Sequence, residues 1–148
     1  MRVLGLTGTR VLTPARQRLV ADLLADVRAD RYVTGGAVGF DAFAGRLLAL
    51  RWPQAEHVVV VPAFRGQVQP WWEEFVGRVT LEVMPAGSTF RDRNAAIVDS
   101  CDELVAFPTH PEADPRAKRS GTWQTVRLAR RAALPVRVHV LAEAALVG

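Results

Sequence analysis

Four short segments of this chain carry the residue types that hold anions and sugars. Thr7-Gly8-Thr9-Arg10 offers a glycine, two hydroxyls and a guanidinium. Thr34-Gly35-Gly36-Ala37 offers backbone amides at glycines, where no Cβ blocks close approach. Asp41 follows it, a carboxylate able to accept from a ribose or to cap its own helix. Arg91-Asp92-Arg93-Asn94 puts two guanidiniums and an amide into the first turns of a helix, and Ser120-Gly121-Thr122 gives a third glycine turn flanked by hydroxyls. Amides at a helix start carry partial positive charge and suit phosphate, and guanidinium forks match phosphate oxygens. Capping alone asks for the same Ser, Thr, Asp and Gly. It does not ask for arginines beside glycines. The inventory therefore suits phosphate plus ribose.

Other chemistry has less behind it. His57 and His139 sit at strand positions and read as structural, and His110 falls in a polar loop. None has metal-ligand spacing to another His or Cys, so no metal and no cofactor is expected. Glu73-Glu74 resembles a catalytic pair, but neighbours on a helix do not face one another and read as a solvated face. Cys101 lacks a basic neighbour to activate it and is expected to pack near a helix end. Trp71 and Trp72 read as packing or a partner surface before a base-stacking platform.

The elements that must position these segments follow from periodicity. Residues 3–6, 32–34, 57–61, 79–83, 103–107 and 136–141 read as strands. The run at 57–61 is apolar on both faces, as in a buried parallel strand. Helices are expected from Pro14 to Arg28, from Asp41 to Arg51 with Pro53 as the stop, from Ser88 or Thr89 to Ser100, and from Ser120 onward. Residues 62–77 look irregular and aromatic, and residues 108–119 look like a mobile polar loop. This alternation predicts one α/β domain over 1–148, a mainly parallel sheet with helices on both faces. Ligands in such folds bind beyond the carboxyl ends of the strands, near where strand order reverses. Each of the four segments follows a strand or opens a helix at that edge.

Composition sets the outer limits. With 148 residues, 49% hydrophobic and 23% charged, the chain is long enough for one well-buried core. Its formal charge is +4, and Lys118 is the one lysine among its basic residues. The arginine bias fits a GC-rich genome as well as phosphate recognition, so charge alone does not argue for nucleic acid. One cysteine leaves no internal disulfide and fits a reducing cytoplasm. The start, Met1-Arg2-Val3-Leu4-Gly5-Leu6, lacks the apolar region of a signal peptide, and no apolar run is long enough to span a bilayer. A cytoplasmic protein with no membrane partner is expected.

The order of the segments resembles a known group. Gly5-Leu6-Thr7-Gly8-Thr9-Arg10, Thr34 through Asp41, Arg93-Asn94 and Ser120-Gly121-Thr122 together resemble the SLOG superfamily. That group joins the Smf/DprA DNA-processing proteins and the LOG nucleotide hydrolases. Val61-Pro62-Ala63-Phe64 before Arg93-Asn94 looks closest to its small stand-alone YspA-like members. The resemblance implies a Rossmann-like domain that binds a nucleotide or nucleotide-derived ligand as a sensor, and a homodimer. It implies ligand contacts from Gly8, Thr9, Arg10, Gly35, Gly36, Ala37, Asp41, Arg91, Arg93, Asn94, Ser120, Gly121 and Thr122, with Phe64 and Arg65 at the base.

Two alternatives stay open within the same resemblance. A LOG-like phosphoribohydrolase needs a carboxylate to position water or steady an oxocarbenium-like state. Thr125 stands where that family has its glutamate, which leaves Asp41 and Asp92 as the candidate catalytic carboxylates. A DprA-like single-stranded DNA module would use Trp71, Trp72 and Arg65, without the flanking domains of that family.

Overall fold

The described residues form these strands and helices in chain order: β1 (Val3–Gly8), α1 (Pro14–Leu24), β2 (Arg31–Gly35), α2 (Phe40–Arg51), β3 (Glu56–Val61), β4 (Val79–Val83), α3 (Phe90–Asp99), β5 (Glu103–Phe107), α4 (Gly121–Arg131) and β6 (Val136–Val138). Among the described residues, 3-10 turns at Trp71–Phe75 and Pro115–Arg119 join them. This is a computed structural model, and it describes residues 1–63, 66 and 68–142. Phe64 and Arg65 lie outside the described residues.

All six strands pair in parallel, in the order β4-β3-β2-β1-β5-β6. From β1 the chain steps outward through β2, β3 and β4, then returns to place β5 on the other side of β1. Strand order therefore reverses between β1 and β5. The loops beyond their carboxyl ends diverge there and leave a crevice.

Alternation along the strands sends side chains to two cores. Leu4, Leu6, Tyr32, Val105 and Phe107 face Val20 and Leu24 of α1 and Phe40, Ala44 and Leu48 of α2. Val3, Val33, Val58 and Val60 face Ile97 of α3, while Leu104 and Ala106 face Trp123, Val126 and Ala129 of α4. Helices thus cover both faces, giving the Rossmann-like α/β domain that the alternation predicts. Trp71 and Phe75 are buried against Ala42 and Ala49 of α2, so Trp71 serves packing. Glu73 and Glu74 are exposed, and Glu74 pairs with Arg46 at 2.7 Å. Among the described residues, no helix is long and apolar enough to cross a membrane.

Three local expectations need correction, each for a physical reason. α1 ends at Leu24 rather than Arg28, because the buried Tyr32 ties down the following turn: its hydroxyl donates to the Val27 carbonyl and accepts from the Ala29 amide. β6 ends at Val138 rather than 141. Its partner β5 runs into Pro108, which has a carbonyl for the Leu141 amide but no N–H to continue the ladder. His139 accordingly lies just past the strand. Residues 108–119 are pinned rather than loose: Trp123 donates its indole N–H to the His110 carbonyl, and Ala117 is buried in the core beneath α4.

Candidate functional site

The crevice between β1 and β5 is a cleft of about 680 Å³. Thr7, Gly8, Thr9, Arg10 and Val11 line it from the β1 side, with Ala37 and Asp41 from the start of α2. Phe90, Arg93 and Asn94 come from α3. Thr109, His110, Arg116, Lys118, Arg119, Ser120, Gly121, Thr122 and Gln124 come from the segment after β5 and from α4. Its size falls within the roughly 300–1,000 Å³ common to small-molecule sites.

The β1 loop is held by the start of α2. The Phe40 amide donates to the Thr9 carbonyl at 2.9 Å, and Thr9 donates its own amide to Phe107 at 3.1 Å. Gly39 makes this fit with a backbone φ of 83°, where a Cβ would land 2.3 Å from the Arg10 carbonyl oxygen. Only glycine meets both demands. Arg10 is thereby set at the cleft, where its guanidinium stacks over Phe90 at 4.7 Å.

Asp41 and Arg93 form the buried floor. Arg93 is 6% exposed and Asp41 is 7% exposed. Asp41 neither caps α2 nor points away from it: Oδ2 turns back to accept from the Ala37 amide at 3.3 Å. Arg93 donates Nε–H to Asn94 Oδ1 at 3.0 Å, and its Nη1 stands 3.9 Å from Asp41 Oδ2. That separation is too long for a hydrogen bond, and Nη1 is buried with no hydrogen-bond partner among the described residues. Burial pushes the Asp41 carboxyl above its ordinary range, opposed by Arg93, the Ala37 amide and Arg10. Burial also lowers Arg93, opposed by Asp41 and reinforced by Arg10.

A side-chain chain carries the floor across to α4. Asn94 Nδ2 donates to Gln124 Oε1 at 3.0 Å, so Arg93, Asn94 and Gln124 are fixed relative to one another. Ser120 caps α4 by accepting from the Trp123 amide at 3.2 Å. The first amides of that helix, at Gly121 and Thr122, have no intrahelical acceptor by position and belong to residues that line the cleft. Thr125 is fully buried, and its hydroxyl donates to the Gly121 carbonyl at 2.9 Å.

The structure brings most of the sequence-selected residues to one place, but not all. Gly8, Thr9, Arg10, Ala37, Asp41, Arg93, Asn94, Ser120, Gly121 and Thr122 line the cleft. Gly35 and Gly36 do not. A Cβ at Gly35 would sit 2.3 Å from Arg93 Nη1 and 2.6 Å from Asp41 Oδ2, while one at Gly36 would meet the Trp72 ring at 3.2 Å. Those glycines make room for the protein's own side chains. Arg91 is exposed outside the lining. Asp92 is exposed too, held in a reciprocal cap in which Thr89 Oγ1 accepts from its amide and its carboxylate accepts from the Thr89 amide.

Sequence reading missed Gln124, Thr109 and the cations Arg116, Lys118 and Arg119. The signal for the cations was present, as a basic run directly before the cap at Ser120. Asp41 is the carboxylate among the described lining residues, set against five cationic side chains. Fold and cleft together define a class: a Rossmann-like α/β domain with a cationic crevice at its topological switch point. No family model matches the chain, and neither a curated protein nor a solved structure matches it.

Proposed function

We propose that this protein binds a nucleotide or nucleotide-derived ligand in the β1–β5 cleft. The observation that carries the reading is the Arg93 guanidinium: buried, contributing to a cleft lined also by Arg10, with no hydrogen-bond acceptor for its Nη1 among the described residues. Asp41 offsets the charge of this buried guanidinium from 3.9 Å, and a phosphate in the cleft beside it and Arg10 would offset it further. Thr7, Thr9, Asn94, Thr122 and Gln124 supply the neutral polar groups that sugar and phosphate oxygens need. The amides at the start of α4 suit an anion better than those of the 35–37 turn, because the Ala37 amide is already engaged by Asp41. The resemblance to the SLOG superfamily supports the same ligand class and a sensing role.

Hydrolysis of the ligand would have to run through Asp41, the carboxylate at the cleft, since Thr125 is engaged inside α4. Its contacts with the Ala37 amide and Arg93 support an anchoring role more than the handling of water.

Calorimetric titration of the common ribonucleoside 5′-monophosphates tests the reading. Binding should weaken at least about tenfold in Arg93→Met. Arg91→Met, outside the lining, should bind as the unsubstituted protein does. The reading fails if none of these nucleotides binds, or if a folded Arg93→Met binds undiminished.

A further inference from the structure

Arg93 reaches the cleft by an indirect route. Its Nη1 is packed against Gly35 and beside Asp41, with no acceptor among the described residues. Its Nε–H is bonded instead to Asn94 Oδ1 at 3.0 Å. Asn94, itself 4% exposed, donates from Nδ2 to Gln124 Oε1 at 3.0 Å. Two side-chain amides in series therefore link the buried guanidinium of α3 to a residue of α4.

The chemistry of arginine fixes the direction of both amides. A guanidinium has donors and no acceptor, so the Asn94 oxygen must face it. The Asn94 nitrogen is then turned toward Gln124, which meets it with its own oxygen. What Gln124 has left is Nε2, a group that donates and cannot accept. No described residue accepts from it, and unlike Arg93 Nη1 it is not sealed from solvent. Gln124 is half-buried and lines the cleft. Each amide in such a series polarises the next, and the series here starts at a cation. Its terminal N–H groups are therefore stronger donors than those of an isolated glutamine, best matched by an anionic oxygen.

We infer that Gln124 is a specificity-determining residue of the cleft, and that its Nε2 donates to a phosphoryl oxygen of the bound nucleotide. This rests on the nucleotide reading and deepens it by assigning one contact. An unconstrained glutamine presents either end of its amide and so accepts as readily as it donates. Asn94 removes that choice by holding Oε1, and Arg93 in turn holds Asn94. The cleft then admits an acceptor at this point and turns away a ligand group that only donates, which would meet N–H with N–H.

Proton–nitrogen correlation spectra, recorded with the common ribonucleoside 5′-monophosphates and with their parent nucleosides, test this. The Gln124 side-chain amide is assigned by its loss in Gln124→Glu. Saturation with the tightest monophosphate should move its Nε2 protons downfield and slow their exchange with water, and the parent nucleoside should do neither. Gln124→Glu keeps an oxygen for Asn94 and puts a carboxylate oxygen where the donor was. Its monophosphate affinity at pH 7.5 should fall at least about tenfold. Measured against the unsubstituted protein at each pH, that deficit should shrink toward pH 5. A glutamate titrates near about 4.3, a neighbouring phosphate raises it, and the protonated carboxyl donates again. A glutamine that only braced Asn94 would leave the Nε2 signals where they were. Unmoved signals with a monophosphate bound, an equal response to the nucleoside, undiminished affinity in a folded Gln124→Glu, or a deficit unchanged at pH 5 each overturn the assignment and leave the nucleotide reading standing. If no monophosphate binds, the nucleotide reading falls and the assignment falls with it.

Discussion

Arg93 Nη1 and Asp41 Oδ2 lie 3.9 Å apart in the floor of the cleft, close enough to attract and too far to share a hydrogen bond. The carboxylate spends its oxygen on the Ala37 amide, and the guanidinium spends its Nε–H on Asn94. Their residual attraction keeps a cation buried that would otherwise be expelled to water. Among the described residues, Nη1 is left without a hydrogen-bond acceptor. Such a pair stabilises weakly for its burial.

Gly35 is what lets the pair exist, and that gives a prediction separating structural from ligand-facing glycines. Gly35→Ala drives a methyl into Arg93 Nη1 and Asp41 Oδ2, at 2.3 and 2.6 Å, in a fully packed region. Overpacking of this kind costs about 1–3 kcal/mol. Gly121→Ala meets no atom within 4 Å and adds a better helix former. Urea unfolding should show a clear loss of stability for the first and none for the second. The Gly121 variant should instead weaken nucleotide binding, since its methyl enters the cleft beside the α4 amides. Equal stability losses would contradict the assignment of Gly35.

His57 gives the fold a pH dependence of defined sign. The ring is buried, stacks on Tyr32 with centroids 5.4 Å apart, and has Nε2 2.9 Å from the Trp52 carbonyl oxygen. Burial holds its pKa below the ordinary value near 6.5, against the pull of that carbonyl. The unfolded chain therefore binds the proton more readily. The contribution is complete above about pH 6.5 and is lost as pH falls toward the folded-state value. His139, also lowered by burial, adds the same sign, whereas Asp41, raised, has the opposite one. Urea unfolding at pH 7.5 and 5.5 should show a loss of stability in the acid, smaller in His57→Gln. An identical acid loss in that variant would rule His57 out as its source.

The fold was legible in the sequence because its signals are local. The apolar run at 57–61, the cap residues Thr89 and Ser120 and the stop at Pro53 each act within a few residues. Strand order is not local, so nothing in the sequence reported that β5 returns beside β1 and opens the crevice there. The candidate site was legible in part for the same reason. Arg93-Asn94 and Ser120-Gly121-Thr122 announce themselves by type. Gly35-Gly36 announces a close approach without saying what approaches, and the structure answers with Arg93, Asp41 and Trp72. Gln124 carries no distinctive pattern; tertiary packing of α4 against α3 brings it to the cleft.

Cys101 supplies a chemical probe of how tightly this arrangement closes. It is buried directly after α3, and its Sγ fills the space where a Cβ on Gly5 would sit, 2.7 Å away. Burial raises its thiol to about 11, with the nearby Asp102 and Glu103 carboxylates adding to the rise and the Gly5 and Glu103 amides opposing it. At neutral pH the folded protein therefore presents almost no thiolate. Labelling by a thiol reagent such as DTNB should be slow in the native state and immediate in denaturant. The native rate should track opening of the β1–β5 region rather than reagent access. A saturating nucleotide bound across that crevice should slow it further by mass action. Rapid native labelling, at the rate of a free thiol, would mean that the packing of Cys101 against β1 is not maintained in solution.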